Sequence, residues 1–96
     1  MLRRILPDGA HAVWRDPTGK MVLAEVAYDD SWIGEKASAL QEAAQARIAF
    51  ISRLGEAMPY SPGTVLQEGD VVYVLAPEPD LERITAAFAA RGGGER

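Results

Sequence analysis

The sequence predicts a small α+β domain, a layered β-α-β-β-β-α unit that pairs with a second copy of itself. Three observations carry that prediction. Ninety-six residues suffice for one modest core, and hydrophobic and charged fractions of 48% and 25% are those of an ordinary globular chain. Strand-like runs at 21–28, 47–53 and 71–76 are interleaved with two segments of helical spacing, so no single period repeats. Strands mixed with only two helices make a sheet against which the helices are laid.

The first twenty residues carry Pro7, Gly9, Pro17 and Gly19 and read as a lead-in of turns, a linker from a possible missing N-terminal half. Met1 to Leu6 opens in the manner of a signal peptide, but Pro7-Asp8-Gly9 ends it before an apolar stretch develops. Asp16-Pro17-Thr18-Gly19-Lys20 is a turn, with proline presetting φ and glycine accepting a positive one. The domain proper is expected over 21–90. Met21 to Tyr28 places Val22, Ala24, Val26 and Tyr28 on one face of a strand and Met21, Leu23, Glu25 and Ala27 on the other. Both faces are largely apolar, so the strand is expected to be covered on both sides, on one of them by a partner chain.

Between Glu35 and Ala46 good helix formers take over, and Ala37, Leu40 and Ala44 recur at helical spacing. Arg47 to Arg53 returns to strand chemistry, with strict alternation setting Ile48, Phe50 and Ser52 against Arg47, Ala49, Ile51 and Arg53. Leu54-Gly55-Glu56-Ala57 reads as a hairpin turn into a short strand at 58–60, which Pro59 confines to an edge. Turns at Ser61-Pro62-Gly63 and Gln67-Glu68-Gly69-Asp70 flank Thr64-Val65-Leu66. Val71 to Ala76 is six apolar residues in a row, the signature of a central strand. Pro77-Glu78-Pro79-Asp80 opens the last helix, whose stripe is Leu81, Ile84 and Phe88. The glycine-rich 91–96 reads as a flexible tail.

Composition removes several function classes. A net charge of −4 is a poor footprint for a phosphate backbone, so no nucleic-acid partner is expected. No apolar run approaches the roughly 20 residues that cross a bilayer. With no cysteine there is neither a thiol nucleophile nor a thiolate metal site, and the composition fits a reducing compartment. One histidine, His11, excludes a histidine-pair metal site and leaves the serines without a positioned base, so the chain is expected not to be an enzyme. No resident metal is expected; the weak candidates are Asp29, Asp30 and Glu35, clustered hard oxygens of the kind divalent cations take.

Taken in order, Leu23-Ala-Glu-Val-Ala27, Trp32-Ile-Gly-Glu-Lys36, Ile48-Ala-Phe-Ile-Ser-Arg53, Pro62-Gly-Thr-Val-Leu-Gln-Glu-Gly-Asp70 with Val71 to Leu75, and Asp80-Leu-Glu82 resemble the TrkA C-terminal domain. That domain is the C-terminal half of the RCK regulatory unit of prokaryotic potassium channels and transporters. Trp32 to Lys36 departs from the family's usual P-L-V-G-K, and no strand-linked G-x-G-x-x-G of a nucleotide-binding half is present. The resemblance implies a regulatory, ligand-binding and dimerising domain of a potassium or other cation transport system. Its partners would be a homodimer mate, an integral-membrane transporter or channel subunit and a nucleotide-binding RCK N-terminal domain. It would lie in the cytoplasm, held at the inner face of the membrane through the transporter.

Arg47 and Arg53, with Ala49 and Ile51 between them on the alternation above, would present guanidinium groups around an apolar floor, suited to an anionic nucleotide. The resemblance names cyclic di-AMP as that ligand, with Met58, Pro59 and Tyr60 lining the cleft. The competing assignment pairs Arg47 with Glu42 and Arg53 with Glu56 and leaves a structural dimerisation module without its own ligand. Trp14, Trp32 and Tyr28 add more apolar surface than two short helices cover, a further reason to expect a dimer.

Overall fold

The computed structural model describes residues 9–90. Five strands and two helices follow one another as β1 (Ala10–Arg15), β2 (Met21–Val26), α1 (Ala37–Ala44), β3 (Arg47–Arg53), β4 (Glu56–Pro59), β5 (Val71–Pro77) and α2 (Leu81–Ala89). Single 3-10 turns at Asp30–Trp32 and Glu78–Asp80 precede the two helices. The strands form one antiparallel sheet in the order β1-β2-β5-β3-β4, with β5 in the centre as its apolar run predicts.

Residues 10–15 are a strand and not a lead-in of turns. β1 pairs antiparallel with β2, with Ala10 and Ala12 opposite core-facing Val26 and Ala24 and an irregularity at Val13 that sets Trp14 opposite Leu23 on the other face; the turn at 16–20 closes the pair, the Asp16 carboxylate accepting the backbone N–H groups of Thr18 (2.9 Å) and Met21 (2.7 Å). The sheet therefore begins one strand ahead of the expected domain start at residue 21. The expected tail at 91–96 and the leader-like 1–6 lie outside the described residues.

Ladder register decides which side chains share a face. Val22 faces Ala76, Ala24 faces Val74, and Val26 faces Val72. Ile48 and Ile51 of β3 join them on the same side. Against this side lie Ala37, Leu40 and Ala44 of α1 and Leu81, Ile84 and Phe88 of α2, all buried. Both helices thus cover one face. On the other, Leu23, Leu75, Tyr73 and Phe50 are only half-buried, so the expectation that β2 and β5 are covered on both sides is not met within one chain. The molecule is a two-layer slab with principal extents of 42 × 30 × 18 Å.

Polar side chains tie the layers. Gln41 on α1 accepts the Ile48 N–H (2.9 Å) and donates to the Tyr60 hydroxyl (3.2 Å). Arg83 on α2 donates to the Ala44 carbonyl, closing α1 where Gln45 adopts a left-handed conformation. Trp32 is buried, and its indole N–H donates to the Ala90 carbonyl (3.0 Å), pinning the end of α2; the association face expected of it is left to Trp14, which is 49% exposed.

Candidate functional site

The strand that carries the predicted site has a kink in its middle. Ile48 pairs with Val74 and Phe50 with Tyr73, two successive residues of β5, so Ala49 is an extra residue, a β-bulge. Such an insertion reverses the inside–outside phase of everything after it. Ile48 and Ile51, three apart, both enter the core, whereas strict alternation would separate them.

This corrects the shared face expected for Arg47, Ala49, Ile51 and Arg53. Arg47 sits opposite Leu75 on the open face and is exposed. Ile51 is buried beneath the helices and cannot floor a ligand cleft. Arg53 lies on the helix side, beyond the bulge. Met58, opposite Ile51, packs against the core, while Pro59 opposes Phe50 on the open face. Tyr60 packs against the core and holds Gln41.

Arg53 is the strongest polar anchor among the described residues. Its Nε and Nη2 donate to Asp70 Oδ1 and Oδ2 at 2.9 and 2.8 Å, a two-point clamp, and Nη2 also reaches the Val65 carbonyl at 3.0 Å. The Asp70 side chain is fully buried, accepts the Gln67 N–H (2.9 Å), and is held below the usual carboxylate range chiefly by Arg53. Arg53 is correspondingly held above its ordinary value by the same contact. Tyr28 donates to the Asp70 carbonyl (2.9 Å), and burial pushes its hydroxyl up. The clamp fastens the 64–70 loop to β3, so the partner of Arg53 is Asp70 and not Glu56. Within its own turn Asp70 accepts the Gln67 N–H; its arginine lies 17 residues away, beyond local spacing.

Arg47 borders an open recess of about 450 Å³ shared with Gln41, Glu42, Gln45 and Ala46, and forms no ion pair with Glu42 or any other described residue. A second recess of about 280 Å³, with Glu25, Asp30 and Glu68 on its walls, lies at the other end of the sheet. The Asp29, Asp30 and Glu35 candidates do not converge on a metal position: Asp29 instead caps the first 3-10 turn by accepting the Ser31 N–H, and no group of three such side chains gathers among the described residues.

With this sheet, bulge and clamped loop in place, residues 21–89 match the TrkA-C domain. The chain belongs to the TrkA-C domain family. It is also 54% identical over 89 residues to the Trk system potassium uptake protein TrkA of Streptomyces coelicolor (strain ATCC BAA-471 / A3(2) / M145), which covers 93% of this chain and 40% of that protein. The TrkA-C domain described here thus spans about two fifths of that relative's length. The match to the relative leaves so few residues unaligned that it runs through β1, in keeping with a strand that belongs to the sheet. No helix among the described residues is long and apolar enough to cross a membrane.

Proposed function

We propose that this TrkA-C domain is a regulatory, self-associating module of a potassium-uptake system. It works in the cytoplasm against an integral-membrane transport subunit, alongside a nucleotide-binding RCK half. The observation that carries this reading is 54% identity across nearly the whole chain to a protein named for potassium uptake. The mechanism is a population shift: a ligand at the seam between two domains favours one relative orientation, and that bias is passed to the transporter.

The ligand proposed is cyclic di-AMP or a related anionic nucleotide. The exposed Arg47, beside a recess large enough to admit part of such a molecule, supports Arg47 as its phosphate contact. Arg53, engaged by Asp70, instead holds the wall behind it. Thermal unfolding with and without cyclic di-AMP tests this. At a hundredfold excess over the dissociation constant a ligand stabilises the native state by about 2.7 kcal/mol, and a gain of that size raises the Tm of a domain this small by roughly 10–20 °C. Arg47→Ala should abolish the rise. An unchanged Tm at high micromolar ligand would leave the second reading, a dimerisation module without its own ligand, which the closed Arg53–Asp70 clamp favours.

A further inference from the structure

We infer that Leu54, at the tip of the β3–β4 hairpin, is an anchor that seats in an apolar pocket rimmed by Lys and Arg on the cytoplasmic side of the integral-membrane transport subunit. The inference rests on the partnership proposed above and names the surface that makes it.

Local propensity is violated at this tip. Leu54 lies in the left-handed region at φ +54°, between Arg53 and Gly55, a conformation that glycine and asparagine adopt readily and leucine does not. It is also 97% exposed, so no apolar burial within the domain compensates for the backbone. A residue that strains the chain and contributes nothing to the core is the pattern expected where a local rule is given up for function.

The tip is mounted on a fixed base. Arg53, its neighbour, is clamped to Asp70, and the Nη2 that reaches Asp70 also holds the Val65 carbonyl. Val65 is itself 43% exposed, and its segment is fixed by a bridge to Lys36 and by the bonds of Leu66 to Gly34 and Glu35. Two large apolar side chains are thus presented around one ion pair. Groups held in place before binding lose little freedom on it.

Charge specifies the partner. Ser52 pairs with Val71 at this end of the sheet, which sets the recess walled by Asp30 and Glu68 beside the hairpin. Asp70 neutralises Arg53, so among the described charges here the exposed Lys36 stands against the exposed Asp30, Glu56 and Glu68. An apolar tip in negative surroundings complements an apolar pocket with a basic rim. Cytoplasmic segments of integral-membrane proteins carry an excess of Lys and Arg. The lipid leaflet they emerge from is anionic and repels such a tip, so the contact is with protein and not with lipid.

A benzophenone amino acid in place of Leu54, carried on the full protein in its own cells, tests this, with the exposed Glu82 of α2, beyond the other end of β5, as control position. Illumination should join position 54, and not 82, to the transport subunit, within a Lys- and Arg-rich cytoplasmic segment read by mass spectrometry. Leu54→Asn should reduce co-purification of that subunit at least about tenfold without lowering Tm, whereas a purely structural role would lower both. Glu56→Lys with Glu68→Lys should weaken retention in the same way, with circular dichroism unchanged. Retention indifferent to Leu54→Asn, or position 54 joined to lipid, to a second copy or to nothing, would overturn the anchor and leave the partnership standing. A wild-type protein that never retains the transport subunit would overturn both.

Discussion

The hairpin between β3 and β4 offers a sharp test of backbone energetics. Arg53 and Glu56 are paired across it, so the loop is the two residues Leu54 and Gly55, both with positive φ, +54° and +80°. This is the geometry of a type I′ turn, which asparagine followed by glycine fits best. Leucine is a poor occupant: its Cβ crowds the following carbonyl, at about 1–2 kcal/mol in the left-handed region. No packing among the described residues offsets that cost, because Leu54 is 97% exposed. Leu54→Asn keeps a Cβ, but its short polar side chain hydrogen-bonds locally and so favours the left-handed region; it should stabilise the fold by about 1 kcal/mol, seen as a Tm higher by about 4–8 °C for a domain of this size. Leu54→Ala keeps the Cβ and should stay within about 0.5 kcal/mol of the parent, as surface changes do. Urea and thermal unfolding at low micromolar concentration read both variants. A neutral or destabilising Leu54→Asn would refute the strain argument; a large loss with Leu54→Ala would show that the side chain makes a contact the exposed geometry denies.

Three further outcomes follow from the fold. Phe88 is wholly buried between α2 and the sheet, so Phe88→Ala should cost about 3–5 kcal/mol in urea unfolding, while Phe88→Leu should cost far less. Asp16, with a pKa lowered from 3.8 to about 2 chiefly by the Thr18 hydroxyl, and Asp70, lowered chiefly by Arg53, both titrate below their unfolded values. Their stabilising effect is then complete above about pH 4 and fades as pH falls towards 2, so Tm should drop across that window and Asp16→Asn should make the drop shallower. Gly34 has φ +94° with no atom within 4 Å of where a Cβ would stand, so Gly34→Ala should lose about 1–3 kcal/mol to backbone conformation alone and leave neighbouring side chains in place by amide spectra.

Much of the fold was legible because local signals agreed with tertiary ones. The helical spacing of Ala37, Leu40 and Ala44 is the buried stripe of α1, and the unbroken apolar run of β5 is the centre of the sheet. β3 spans the residues its composition marks, from Arg47 to Arg53. β1 was hidden by Gly9, Pro17 and Gly19, which punctuate its two ends; Ala10 to Trp14 followed by Asp-Pro-Thr-Gly and a strand is a hairpin signal that could have found it. The candidate site was less legible for a different reason. Ile-Ala-Phe-Ile is apolar in both phases of a strand, so nothing local distinguishes a straight ladder from a bulged one, and the placing of both arginines depends on that choice. Only the β5 partners, more than twenty residues away in sequence, settle the register.

The extra residue at Ala49 gives a single seven-residue segment two jobs on opposite sides of the same sheet. Ahead of it the segment advertises a cation to the outside; behind it the same backbone bolts down an inner loop through Arg53 and Asp70. A one-residue deletion at the kink would leave composition and charge almost untouched yet turn one half of the segment over. Either the outward cation or the inner bolt would then be lost, so spacing along this segment, more than the chemistry of any one side chain, is what the domain must preserve.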